Sequence, residues 1–145
     1  MTELKNKDSI ESYLSFSLGD EKFAAHVDKV INILEMRPIT KVPQAPAYMK
    51  GVINLRGSVL PVIDLRFKFD VEDKGIGVDT CIIVLNVLIE NQDLVIGALV
   101  DEVNEVLELK ESDIEPSPSI GTKYNADFIR GMYRIDDSFI MILNI

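Results

Sequence analysis

The sequence contains one cysteine and one histidine in 145 residues. A single cysteine, Cys81, excludes an intrachain disulfide, and with His26 it cannot supply the four ligands of a structural zinc site. Cys81 opens the apolar run CIIVL, which favours an inert core thiol, and His26 lies among Ala and Val residues, which favours a structural histidine. A minimal hydrolase is therefore disfavoured, and we expect no catalytic residue, no metal site and no cofactor.

Basic residues are also scarce, since 15 Lys and Arg face 24 Asp and Glu for a net charge of −9. This balance disfavours nucleic acid and anionic membranes as partners, because both need a basic surface. The acidic group Asp101, Glu102 and Glu105 is predicted to be a solvated face and not a metal site.

Long apolar runs are missing as well. No run approaches the roughly 20 residues that span a bilayer. The polar start MTELKNKDSIES has no apolar core of a signal peptide. We therefore expect a cytoplasmic protein without direct membrane insertion.

The most informative stretch is GVINLRGSVLPVIDL, from Gly51 to Leu65. Two short runs rich in Val, Ile and Leu flank an Arg56-Gly57-Ser58 corner, and this pattern predicts a β-hairpin. Gly57 is predicted at the first central position of the turn, where φ is positive. Arg56 then lies at the hairpin tip, either as a solvated side chain of little consequence or as a bidentate contact to a partner.

This stretch recurs as GMYRIDDSFIMILNI at 131–145, and AHVDKVINILEM at 25–36 recurs as ALVDEVNEVLEL at 98–109, both without gaps. Two copies indicate a duplicated subdomain pair and not a solenoid. Many short strands with regular turns predict an all-β fold of two small barrels with a cleft between them.

The length predicts a single domain, over 12–145, with subdomains at about 12–70 and 79–145 and with strand exchange between them possible. Residues 1–11 are predicted to be a polar lead-in, and 71–78 to be a hinge. The pattern further predicts strands over 13–18 and 22–27, a helical turn near Asp28, a brief helix over 65–69, a helical turn over 111–114, and a hairpin of 79–88 and 94–100 that turns at 90–93.

Four apolar residues correspond between the two copies: Val30 with Val103, and Ile33 with Val106. They are predicted either to belong to the core or to line a groove at the seam between the barrels, where an amphipathic helix could bind. The residues alone leave both alternatives open.

From Tyr13 to Ile145 the chain resembles the CheW family of chemotaxis coupling proteins. The resemblance rests on YLSFSLGDEKF, VDKV, KVPQAPAYMKGVINLRGSVLPVIDLR, GALVDEV and IEPSPS. It implies two SH3-like five-stranded β-barrels packed around a shared hydrophobic core. It also implies a short helix after the last strand, whereas this sequence ends at Ile145.

The same resemblance implies a non-catalytic adaptor that links the cytoplasmic helical hairpins of chemoreceptors to the regulatory domain of the CheA histidine kinase. The two barrel ends would face the kinase. An adaptor for a non-chemotactic receptor array, or a barrel pair that binds a peptide or small molecule, remains the alternative. The residues that match the receptor- or partner-facing positions are Val30, Ile33, Gly51, Asn54, Arg56, Gly57, Val103 and Val106.

Overall fold

The computed structural model describes residues 9–69, 71–72, 75–89, 91–116 and 129–145. Eleven strands dominate it, with one short helix, α1 (Leu65–Lys68), and two 3-10 turns, Val27–Lys29 and Glu111–Asp113. The strands are β1 (Ile10–Leu18), β2 (Glu21–His26), β3 (Val30–Glu35), β4 (Met49–Leu55), β5 (Ser58–Asp64), β6 (Cys81–Ile89), β7 (Gln92–Val100), β8 (Glu102–Lys110), β9 (Ile114–Pro116), β10 (Ile129–Ile135) and β11 (Ser138–Leu143).

These strands form two curled sheets. Sheet I has the order β3-β6-β7-β5-β4, and sheet II has the order β8-β1-β2-β11-β10-β9. Sheet I therefore comes from one continuous stretch of chain, and sheet II from the segments on either side of it. Among the described strands, the chain crosses between the sheets twice, after β2 and after β7.

Each sheet contains strands from both halves of the chain. The β1–β2 hairpin pairs with β8 and β11 in sheet II, and the β6–β7 hairpin pairs with β3 and β5 in sheet I. The two hairpins are joined to the opposite half by parallel pairs, Ala24 with Ile142 and Val62 with Gly97. Neither half can thus complete its sheet without strands from the other.

Three apolar clusters account for the packing. The largest lies between the sheets and takes buried residues from both, including Phe16, Phe23, Leu85 and Met141. Two smaller clusters each take their buried residues from one sheet, one around Ile53 and Val84 in sheet I and one around Tyr13 and Ile142 in sheet II. The predicted all-β fold of two barrels around a shared core is confirmed, although β9 gives sheet II a sixth strand.

Most predicted elements are present, with shifted ends. β1 begins at Ile10, inside the predicted lead-in, because Glu11 pairs with Leu109 and Ile10 with Lys110. The turn predicted at 90–93 is shorter, since β7 already begins at Gln92. Residues 1–8 of the lead-in, 73–74 of the hinge and 117–128 between β9 and β10 lie outside the described residues. Within the described part of the chain, no helix is long and apolar enough to cross a membrane.

Candidate partner-binding surfaces

The tip of the β4–β5 hairpin carries three of the predicted site residues, and all three are exposed. Leu55 pairs with Ser58, so the two turn residues are Arg56 and Gly57, with φ of 53° and 86°. Two positive φ values are typical of a type I′ turn, which matches the twist of a hairpin. The prediction that Gly57 takes the first turn position is wrong, because the strands pair one residue earlier and place Arg56 there.

Asn54 holds this tip rigid. Its side-chain Oδ1 accepts a hydrogen bond of 2.9 Å from the backbone N–H of Gly57. Both residues are exposed, and so is Arg56. None of the residues that the structure describes bonds the Arg56 guanidinium. The hairpin thus presents an exposed cation on a hydrogen-bonded turn.

Gly51 has a different role from the one its motif suggests. It is buried, its φ is 150°, and a Cβ built on it would lie 2.2 Å from the carbonyl oxygen of Thr40. Thr40 and Val52 exchange two backbone hydrogen bonds there, which ties the segment after β3 to the free edge of β4. Gly51 therefore allows this close backbone approach and does not present a surface. The resemblance places Gly51 among the partner-facing positions, whereas the structure buries it against Thr40.

The four matched apolar residues lie on two edge strands. On β3, Val30 packs against the shared core while Ile33 is 45% exposed. On β8, Val103 packs against the same core while Val106 is 56% exposed. The two strands repeat the same arrangement, so each edge has one residue that anchors it to the core and one that is open to a partner.

The predicted site residues therefore occupy three places and not one. The hairpin tip and β3 belong to sheet I, at opposite ends of its strand order, and β8 is the edge of sheet II. Their relative position depends on how sheet II is oriented on sheet I. The sequence motifs indicate the hairpin tip, β3 and β8 separately but do not predict how the two sheets are oriented.

An apolar cleft of about 400 Å³ opens at one end of the shared core. A cleft between the barrels was predicted, but its lining differs from the prediction. The residues that line it come from the start of β4 and the segment before it, from the stretch between β5 and β7, and from the end of β11 and the residues after it, among them Tyr48, Ile63, Leu88, Leu94 and Ile145. None of the four matched residues on β3 and β8 is among them.

His26 and Cys81 both have surroundings typical of structural residues. His26 Nε2 lies 2.7 Å from Glu11 Oε1, and the ring meets Tyr13 edge-on. Cys81 is partly buried, and this burial raises the pKa of its thiol, which disfavours a reactive thiolate. Across the described ranges, no three His, Cys, Asp or Glu side chains are grouped so as to hold a metal ion.

Tyr13, on β1, forms a polar cluster with Glu111 and Arg130. Its hydroxyl donates to Glu111 Oε2 at 2.7 Å and accepts from Arg130 at 2.6 Å. Burial raises the pKa of Tyr13 well above its usual value, and the hydrogen bond to Glu111 adds to this. The phenol therefore stays protonated and acts as a fixed link between β1, β10 and the turn after β8.

A buried ion group was missed by sequence reasoning. Arg66, in α1, is 1% exposed and bonds Asp64 at 3.1 Å and Asp101 at 3.1 Å. The prediction that Asp101 lies on a solvated face is wrong, because its carboxylate also accepts from the Gly19 N–H. Glu102 and Glu105 are exposed as predicted. The charged residues of Asp64-Leu65-Arg66, in an otherwise apolar stretch, were the one sequence signal for this ion group.

Comparisons with known proteins place these surfaces in context. The family model of the CheW-like domain matches residues 12–145. The chain is 35% identical to the chemotaxis protein CheW of Rhizobium meliloti over 132 residues, covering 91% of this chain and 83% of that protein. It is 38% identical to that of Bacillus subtilis, over 74% of this chain and 67% of that protein. The crystal structure of the scaffolding protein TtCheW from Thermoanaerobacter tengcongensis is similar, with a TM-score of 0.83 at 34% identity, over 94% of this chain and 90% of that one.

Proposed function

This chain belongs to the CheW family and is an adaptor in chemotaxis signalling, and we propose that it couples the cytoplasmic tips of chemoreceptors to the regulatory domain of a CheA-type histidine kinase. A non-catalytic role is part of this proposal. It is supported by the hydrogen bond between the His26 ring and the Glu11 carboxylate and by the raised pKa of the Cys81 thiol. A cytoplasmic location at receptor arrays follows from the proposed partners.

The alternatives considered from the sequence are not favoured. Several relatives with similar lengths are named chemotaxis proteins, and the similar solved structure is named a scaffolding protein. These names support the adaptor over a barrel pair that binds a peptide or small molecule.

We assign the receptor contact to the hairpin tip and the two exposed edge residues. Asn54, Arg56 and Gly57 form a rigid cationic corner, and Ile33 and Val106 supply apolar surface on the edge strands. A receptor tip is a helical hairpin, whose apolar face can pack on such residues while a carboxylate binds the arginine. The unbonded, exposed guanidinium on a fixed backbone is the observation that carries this assignment.

Individually weak contacts are sufficient for this role. Interfaces that bury less than roughly 1,200 Å² are usually weak and transient. In an array, linkage of many such contacts raises the effective concentration and hence the overall avidity. Signals then pass through this chain as shifted populations of array geometries and not as chemistry.

The Arg56→Asp variant tests the assignment. We expect its affinity for receptor tips to fall by about tenfold or more, since a contact at the tip would become a repulsion. The fold should persist, because Asp136 occupies the equivalent turn position of the β10–β11 hairpin with the same φ of 53°. Co-sedimentation with receptor-containing membranes gives the affinity.

Asp136→Arg is the matched control. It makes the opposite charge change at the equivalent turn of sheet II, so we expect receptor binding within about twofold of the original chain. Folded Arg56→Asp protein that sediments with receptors as well as the unmodified chain would contradict the assignment. A loss in Arg56→Asp matched by a comparable gain in Asp136→Arg would instead indicate a general effect of net charge.

A further inference from the structure

The two points where the chain crosses between the sheets are held differently. The repeat pairs Asp28, at the crossing after β2, with Asp101, at the crossing after β7. The Asp28 side chain is 82% exposed, with His26 as its neighbour at 3.6 Å. The Asp101 side chain is 22% exposed and bonds Arg66 at 3.1 Å. Equivalent positions in the duplicated fold thus differ in burial and in partner.

Asp101 is fixed to sheet II by two hydrogen bonds. Its backbone N–H donates to the carbonyl oxygen of Ser17 at 3.0 Å. Its Oδ2 accepts from the Gly19 N–H, in the β1–β2 turn, at 2.6 Å. Asp101 directly follows Val100, the last residue of β7 in sheet I, and these two bonds hold it against β1 and the β1–β2 turn in the middle of sheet II.

Arg66 is fixed to sheet I. Its Nε donates to Asp64 Oδ1 at 3.1 Å, at the end of β5. One terminal nitrogen donates to the Gly75 carbonyl at 3.1 Å, in the segment before β6, and also to Asp101. The guanidinium therefore joins the end of β5 and the segment before β6 to the Asp101 carboxylate, which in turn accepts from Gly19 in the β1–β2 turn of sheet II. Planar, forked donors of this kind fix direction as well as distance.

We infer that the Arg66–Asp101 pair is a positioning element that sets the orientation of sheet II on sheet I. The crossing at Asp28 forms without an arginine bonded to it among the described residues, so a crossing of this type does not require the pair. The shared core holds the sheets together but is non-directional. Val103 and Val106 follow Asp101 on β8, whereas Arg56 and Ile33 lie on sheet I. The pair therefore determines how these surfaces face a common partner, and this part rests on the proposed function.

Asp101→Asn tests the inference in the full-length chain. The amide oxygen can still accept from Gly19, but the charge that holds Arg66 is gone. Residual dipolar couplings give the orientation of each sheet separately. We expect couplings within each sheet to be unchanged, the relative orientation of the sheets to change or become averaged, and receptor-tip binding to fall roughly 2- to 30-fold. Asp28→Asn, the matched control, should change neither measurement.

Arg66→Lys provides a second variant, because it keeps the charge but cannot contact Asp64, Gly75 and Asp101 together. It should shift the sheet orientation in the same sense and weaken receptor-tip binding similarly. Asp101→Glu retains a carboxylate and should keep much of the original sheet orientation and receptor-tip binding.

Unchanged sheet orientation in Asp101→Asn and Arg66→Lys would overturn the inference. A changed orientation with unaltered receptor binding would overturn its functional part. An unmodified chain that binds no receptor would refute the proposed function, while the couplings would still decide the positioning role.

Discussion

Replacing Gly51 by alanine is expected to destabilise the protein by roughly 3–5 kcal/mol. The new Cβ would lie 2.2 Å from a backbone oxygen of Thr40 and 2.8 Å from Ile39 Cγ2, and the Thr40 oxygen cannot withdraw without breaking the Thr40–Val52 bridge. A positive φ of 150° adds backbone strain. Since small domains are stable by only about 5–15 kcal/mol, part of the population should be unfolded without denaturant. Urea unfolding followed by circular dichroism measures the loss.

Two other glycines calibrate this prediction. Gly131 is the equivalent residue of sheet II, where a Cβ would lie 2.6 Å from the Glu115 carbonyl oxygen, so Gly131→Ala should cost a comparable amount. Gly57 has no atom within 4 Å of its Cβ position, and Gly57→Ala should cost only about 1–2 kcal/mol from its positive φ. Equal losses for Gly51 and Gly57 would show that backbone conformation alone, and not the approach of Thr40, explains Gly51.

The second large effect is expected for Arg66→Met, at about 3–5 kcal/mol. Methionine fills a similar volume but leaves the carboxylates of Asp64 and Asp101 without the cation that they share. Asp64 is 6% exposed, so water cannot replace that cation fully. Thermal or urea unfolding of the variant and the unmodified chain gives the difference.

Arg134→Met is the control for this effect. Its side chain is 61% exposed and lies 3.5 Å from Glu115, which makes it an ordinary surface ion pair. Such pairs contribute about 0–1 kcal/mol, so its loss should be small. If the two arginine variants were equally stable, the ion group around Arg66 would have no structural importance.

Local patterns were sufficient to predict much of the fold. The β4–β5 hairpin, the short helix after it and the duplication follow from turn residues, apolar alternation and sequence matches, all of which act over short separations. The turn position of Gly57 was missed because two registers of Arg56-Gly57-Ser58 satisfy the same pattern. The pairing of Leu55 with Ser58 decides between them.

The site was predictable only in part, because its remaining features depend on long-range contacts. Arg66 and Asp101 are 35 residues apart, and no local pattern indicates that they meet. Gly51 matches a partner-facing position of the motif, and its close approach to Thr40, on a separate segment, could not be predicted from the motif. Val30 and Ile33 also admitted two interpretations, and the edge position of β3 makes one a core residue and the other exposed.

The central claim is that this chain couples receptors to a histidine kinase by direct contact. Analytical ultracentrifugation of the purified chain mixed with the regulatory domain of its cognate kinase tests it most directly. We expect a reversible complex, or larger assemblies at high concentration, and we expect Arg56→Asp to preserve them because the hairpin tip is assigned to the receptor. Loss of the complex in Arg56→Asp would move the tip to the kinase interface. No association of the unmodified chain at high concentration would contradict the coupling role and leave only the fold established.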